Sequence, residues 1–102
     1  MSKKILQINV RFNVSAAELE EEFNTVASHI AAVSGLKWKI FGMNEEQNQA
    51  TGVYLFEDDD SLISYIEGPI VAAMKDKKAF SDINVKYFDV VENATAITRG
   101  PV

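Results

Sequence analysis

Few side chains in this sequence could take part in chemistry. Trp38, the single tryptophan, lies between two lysines in GLKWKIFGM, and its indole N–H is a hydrogen-bond donor. His29, the single histidine, carries an imidazole that could act as an acid or a base. Asn9 places an amide in the middle of a predicted strand, where strand preference disfavours it. Donors and one base of this kind are suited to orienting a ligand and moving a proton.

Each of these residues also has a purely structural interpretation. Trp38 could fill the core on a half-buried strand, because an amphipathic indole serves a core and a pocket equally well. His29 falls beside the apolar stripe of a predicted helix, where it could be a flanking residue or an acid/base group. Asn9 could have a specific task or could contact its symmetry mate across a dimer, since a buried amide needs only some partner.

Composition argues against most cofactor chemistry. The chain has no cysteine, which removes disulfides, thiolate metal sites and cysteine nucleophiles. With one histidine there is no zinc-binding H-E-x-x-H motif, and the run Asp58 to Asp60 lacks the alternating ligands of a calcium loop. No Ser-His-Asp pattern, P-loop or dinucleotide fingerprint is present. We therefore predict a protein with no metal, flavin or haem.

Charge and hydropathy narrow the range of partners. The net charge is −5, and phosphate binding needs clustered Lys and Arg, so nucleic acid is not an expected partner. The apolar run in MSKKILQINV is short and broken by Gln7 and Asn9, and no segment approaches the length of a membrane span. A chain of 102 residues is expected to form one domain, spanning 1–102. These features predict a cytoplasmic protein.

Hydrophobic periodicity predicts six principal elements. Strands are predicted over 5–12, 36–43, 51–57 and 83–91. A first helix begins after Ser15, which forms a capping box with Glu18, and ends at Gly35. A second helical region begins at Asp58 to Asp60 and is interrupted before Pro69, where a further helix starts. The tail from 92 onward is predicted to be irregular, with a short extended piece at ATAIT.

The order strand, helix, strand, strand, helix, strand predicts an α+β protein of the ferredoxin-like βαββαβ type, with a four-stranded antiparallel sheet and helices on one face. Apolar residues alternate onto both faces of three strands, for example Val53 and Leu55 opposite Tyr54 and Phe56. An exposed apolar sheet face usually marks an interface, and a second copy is its simplest cover. We therefore predict a homodimer that packs sheet on sheet.

The segments ILQINVRFN, GLKWKIF, GVYLFED with SLISYIEG, and VKYFDV resemble the YdhR-type monooxygenases. This family is a branch of the dimeric α/β-barrel superfamily, which also contains the antibiotic-biosynthesis monooxygenases. The resemblance covers nearly the whole chain and is weakest over 68–82 and in the tail.

The resemblance implies a pocket between the sheet and its helices in each protomer, and a small aromatic ligand. It also implies a monooxygenase (an oxidoreductase) that oxidises a small aromatic or quinol-type substrate with O2 and no cofactor. Such a protein supplies a dry pocket, orientation and donors for a developing anion. The alternatives are a non-catalytic small-molecule binding or sensing dimer, and a structural dimer without a ligand.

Residues in this sequence can be proposed for that pocket. The substrate-binding candidates are Trp38, Tyr54, Tyr65 and Phe12, and the catalytic candidates are Trp38, His29 and Asn9. The haem-degrading branch of the superfamily ligates iron through a histidine on the second helix, and residues 61–80 contain none. Haem degradation is therefore not expected.

One expectation concerns orientation. Alternation places Lys37 and Lys39 on the face opposite Trp38. Leu36 and Ile40 would share the side of Trp38 and anchor it against the first helix. We therefore predict that Trp38 faces the helices and that its ring forms a wall of the pocket.

Overall fold

The computed structural model describes residues 3–102, which form one four-stranded antiparallel sheet and four helices. The strands lie in the order β2-β3-β1-β4, so β1 and β3 are central. This confirms the predicted ferredoxin-like α+β arrangement. In chain order the elements are β1 (Lys4–Phe12), α1 (Ala16–Ala31), β2 (Leu36–Asn44), β3 (Gln49–Phe56), α2 (Asp59–Ile66), α3 (Pro69–Asp76), β4 (Phe80–Asp89) and α4 (Glu92–Ile97).

The main core lies between the sheet and helices α1 to α3. Alternate residues of β1 point toward these helices and are almost fully buried: Leu6, Ile8, Val10 and Phe12. They meet Leu19 of α1, Leu62 of α2 and Val71 of α3, which are also buried in the same cluster. Full burial of a side chain of this size stabilises the fold by about 1.5–3 kcal/mol. The apolar residues that alternate along β1 therefore pack against the apolar stripes of the helices in one core layer.

Helix starts follow the local sequence. The Ser15 hydroxyl accepts a hydrogen bond from the Glu18 N–H (3.1 Å) and donates to the Glu18 carboxylate (3.2 Å). The Asp58 carboxylate accepts from the Ser61 N–H (2.9 Å), and Pro69 opens α3. These contacts satisfy N–H groups that have no partner within a helix. The predicted Ser15 cap and the proline start are confirmed, whereas α1 ends at Ala31, before the predicted Gly35.

The face of the sheet away from α1 to α3, here called the open face, is partly covered. Leu55 points to this face and is 1% exposed, whereas Ile40 and Phe88 are 57% and 45% exposed. The predicted extended piece at ATAIT is wrong, because residues 92–97 form α4, in which the Thr95 N–H bonds to the Val91 carbonyl (3.1 Å). Two or three alternating residues without a pairing strand cannot satisfy their backbone groups as a strand would. Within residues 3–102 no helix is long and apolar enough to cross a membrane.

Candidate active site

A cavity of about 220 Å³ lies between the sheet and the helices. Its walls are almost entirely apolar, and they come from β1, α1, β2 and α3: Ile8, Phe23, Val26, Phe41, Ile70 and Met74. Apolar cavities of about 150 Å³ already bind benzene. This cavity is therefore large enough for an aromatic body somewhat larger than one ring.

Two tyrosine hydroxyls form the polar end of the cavity. Tyr54 of β3 and Tyr65 of α2 both line it and are 2% and 5% exposed. The Tyr65 hydroxyl donates to the Tyr54 hydroxyl (3.1 Å), and no further hydrogen bond to either hydroxyl exists among the described residues. Since each hydroxyl carries one hydrogen, one O–H donor of the pair remains available to a ligand. Burial raises the pKa of both tyrosines, so they stay neutral donors.

A lysine also lines the cavity, beside the two tyrosines. Lys39 of β2 is the cross-strand partner of Tyr54, and its ammonium lies 4.5 Å from the centre of the Tyr54 ring and 3.9 Å from that of Phe41. The rings attract the cation through their negative faces. In the part of the chain that the structure describes, Lys39 has no ion pair and no hydrogen bond. Burial lowers the pKa of Lys39 from 10.5 to about 8.

A glycine in the neighbouring strand makes this placement of the lysine possible. A Cβ on Gly52 would lie 2.8 Å from the Lys39 Cε and 3.2 Å from the Tyr54 hydroxyl. The stem of Lys39 therefore crosses over β3 toward the middle of the sheet, although β2 is an edge strand open to solvent. Gly52 removes the side chain that would fill this space. The end of the Lys39 side chain and the Tyr54 hydroxyl consequently lie close to the space that a side chain at position 52 would fill.

Charged side chains mark the mouth of the cavity. Glu22 of α1 and Lys77, just after α3, both line it and form an ion pair with each other. His29, a predicted catalytic candidate, also lines the mouth and is exposed. The structure therefore places His29 where it could meet an entering ligand, at the edge of the cavity.

The predicted site residues are only partly brought together. Tyr54 and Tyr65 line the cavity as proposed, whereas Phe12 is packed in the core and contributes nothing to the lining. Asn9 points to the open face, where its side-chain oxygen accepts from the Thr51 hydroxyl (2.6 Å). Asn9 also lines a separate open groove. Its side chain therefore lies on the opposite face of the sheet from the two tyrosines.

The predicted orientation of Trp38 is wrong. Trp38 pairs with Leu55 on the open face, and its indole N–H donates to the Pro101 carbonyl (2.8 Å). The register between β2 and β3 shifts between Leu36 and Trp38, so Leu36 faces the helices and Trp38 does not. This shift breaks the alternation on which the prediction was based. Lys39 consequently lies on the helix side.

Trp38→Phe should therefore leave the cavity unchanged. We expect the affinity for a planar aromatic ligand such as 2-naphthamide to stay within about twofold of wild type, since no cavity contact is lost. The lost hydrogen bond to the Pro101 carbonyl should lower the free energy of unfolding by about 0.5–1.5 kcal/mol. Calorimetric titration and urea denaturation measure the two effects. A much larger loss of affinity would place the indole in the ligand site after all.

Solved structures with this fold include oxygenases. SnoaB, a cofactor-independent oxygenase from Streptomyces nogalater, is 15% identical with a TM-score of 0.71, covering 88% of this chain and 94% of its own. A putative antibiotic biosynthesis monooxygenase from Deinococcus radiodurans is 14% identical with a TM-score of 0.74, covering 87% and 93%. The heme-degrader MhuD from Mycobacterium tuberculosis is 19% identical with a TM-score of 0.65, covering 85% and 95%. The chain thus has the fold of the antibiotic-biosynthesis monooxygenases.

The sequence gives the family more narrowly. Residues 5–101 match the family described as "Putative mono-oxygenase ydhR", and the chain belongs to this family. No curated protein matches the chain significantly. The family assignment from residue patterns is therefore confirmed.

The residues present do not fit haem. The second helical region, 61–80, has no histidine to ligate iron, and His29 lies on α1. Among the described residues no group of three His, Cys, Asp or Glu side chains could hold a metal ion. The likeness to the heme-degrader is a likeness of fold.

Proposed function

We propose that the protein is a cofactor-independent monooxygenase that oxidises a small aromatic or quinol-type substrate with O2 in the cavity. The observation that carries this proposal is an apolar cavity whose inner polar groups are donors: Lys39, Tyr54 and Tyr65. An apolar enclosure strengthens each interaction with a developing charge and excludes water. Membership of the ydhR family and the fold shared with SnoaB support the same activity.

The proposed reaction needs no reductant beyond the substrate. An anthrone-type substrate loses a proton, and its enolate passes electrons to O2. The reacting methylene carbon exchanges two C–H bonds for one C=O bond, one oxygen atom enters the product and the other leaves as water. Four electrons pass from the carbon to O2, so atoms and electrons balance. The tyrosine O–H donor left over from the Tyr54–Tyr65 pair would stabilise the enolate oxygen.

An oxygen electrode tests this proposal. Protein is supplied with anthrones and hydroquinones, with a chelator present and without flavin or NADH. For an anthrone we expect one O2 consumed per product molecule, and 18O2 should place one labelled atom in the product and one in water. Trp38→Phe is the control variant and should keep its turnover. Saturable binding of the panel with no oxygen uptake above heat-denatured protein would favour the non-catalytic binding or sensing dimer.

We also propose that the protein is a homodimer that packs open face on open face. Ile40 and Phe88 on this face are too exposed for large apolar side chains that have no partner. Light scattering at micromolar concentration should give twice the mass of one chain. Ile40→Asp with Phe88→Asp should yield the monomer mass, because a buried interface does not tolerate unpaired carboxylates. A wild-type monomer mass at all concentrations would contradict the proposal.

A further inference from the structure

Lys39 is a cation inside an apolar cavity, and among residues 3–102 no carboxylate forms an ion pair with it. Its three ammonium donors make no hydrogen bond to the described residues, and its contacts are the ring faces of Phe41 and Tyr54. The carboxylate among the lining residues, Glu22, is paired with Lys77 at the mouth. Placing a cation in apolar surroundings is costly unless a partner compensates it. The cavity therefore lacks one negative charge.

The direction of the lysine stem excludes a simple surface role. A lysine on an edge strand would ordinarily extend its ammonium into water. Here the Cε lies over Gly52 on the neighbouring strand, 2.8 Å from where a Cβ would be, and the Tyr54 hydroxyl lies 3.2 Å from the same point. The ammonium therefore approaches the end of the cavity where the tyrosine pair has an O–H donor to spare.

We propose that Lys39 is the anion-binding group of the cavity, and that the natural ligand is an acid with a planar apolar body and one ionised oxygen group. The apolar walls would hold the body, while the ammonium and the tyrosine O–H would hold the oxygen. Phenolates, enolates and aromatic carboxylates share this chemistry. The inference rests on the proposed function, because it takes the same cavity as the ligand site. It goes further by stating that the substrate is bound as an anion.

Anaerobic calorimetry with two redox-inert probes tests the inference separately from oxygen chemistry. The probes are 2-naphthoate, which carries the anion, and 2-naphthamide, its neutral counterpart of the same shape. Wild-type protein should bind naphthoate about tenfold or more tightly than naphthamide, as a charge-assisted hydrogen bond would give. Equal affinities, or no saturable binding of either probe, would overturn the proposal whatever the oxygen electrode shows.

Variants of the lysine assign this preference to one side chain. Lys39→Met should lose the preference and keep naphthamide binding within about twofold, because a chain of similar length and no charge remains. Lys39→Arg should keep part of the preference. The matched control is Lys37→Met on the exposed side of the same strand, which should behave as wild type. A preference for naphthoate that survives in Lys39→Met would overturn the proposal.

The pH dependence of naphthoate binding tests whether Lys39 acts through its positive charge or only through the shape of its side chain. Naphthoate stays ionised from pH 7 to 10, so its binding should weaken as the Lys39 ammonium loses its proton, while naphthamide binding stays level. The other titratable groups that face the cavity are Glu22, His29, Tyr54, Tyr65 and Lys77. Lys39→Met carries all of these, so subtracting its profile removes their contribution. A difference profile that is flat from pH 7 to 10 would contradict the role given to the ammonium.

Discussion

Gly35→Ala should lower the free energy of unfolding by about 2–5 kcal/mol, from the cost of a left-handed non-glycine residue and of overpacking together. Gly35 has a φ of +81°, and a Cβ there would lie 2.0 Å from the Ser61 Oγ and 2.4 Å from the Ser61 Cβ. The residue connects α1 to β2, and its carbonyl accepts from the Glu57 N–H (2.8 Å). Because native proteins are stable by only about 5–15 kcal/mol, the loss is large. Urea denaturation followed by circular dichroism measures it.

Ser61→Gly provides the control for this prediction. Adding Ser61→Gly to Gly35→Ala removes the atoms that the new Cβ would meet and leaves only the backbone cost. The double variant should therefore be more stable than the sum of the two single losses by about 1 kcal/mol or more, within the range of coupling between residues in contact. If the losses add, the steric explanation is wrong; if Gly35→Ala is as stable as wild type, the backbone explanation is wrong as well.

The elements that sequence predicted best are those in which local and long-range signals agree. In α1 the Ser15 cap and the apolar stripe both indicate one helix, although the helix ends at Ala31 and not at the predicted Gly35, and β1 alternates cleanly because one of its faces is the core. In the tail, α4 was missed because six residues with little apolar periodicity give no such agreement. Period and caps therefore specify the layers of the fold.

The candidate site was harder to predict because it depends on the face to which β2 turns. Both faces of β2 are apolar, with Trp38 and Ile40 opposite Phe41 and Met43, so pattern alone does not choose between them. The register shift near Leu36 then reverses the choice that simple alternation favours. Tyr54 and Tyr65 line the cavity, as expected, because their elements were assigned correctly. Lys39 was missed because lysines in strands are expected to face water.

One sequence signal could have indicated the cavity. Gly52 lies in a predicted strand whose other residues are mostly apolar, and glycine inside a strand often marks close approach of a ligand or another group. Two residues later comes Tyr54, on the same face by alternation. The pair predicts an open space beside an aromatic hydroxyl. In the structure the Lys39 stem and the Tyr54 ring border that space.

Gly52→Val should therefore close the polar end of the cavity. The new side chain would take the space in which the Lys39 Cε and the Tyr54 ring lie, at 2.8 and 3.0 Å from its Cβ. A strand accepts valine readily, so the sheet should form, while the crowding displaces the lysine and narrows the cavity. We expect the affinity for 2-naphthoate to fall about 10- to 100-fold, equivalent to about 1–3 kcal/mol of overpacking, and oxygen uptake to fall with it.

Gly42→Val is the matched control, because it makes the same exchange in the adjacent strand on the open face. Its Cβ would contact the Thr51 Cγ2 at 2.9 Å, on the face of the sheet away from Lys39 and Tyr54. We expect naphthoate affinity within about twofold of wild type, since the two faces are separated by the sheet itself. Light scattering on both variants shows whether either exchange also changes the assembly of the protein. If both valine variants lost the same affinity for naphthoate, the loss would follow from a less stable sheet. The cavity over Gly52 would then no longer be supported as the ligand site.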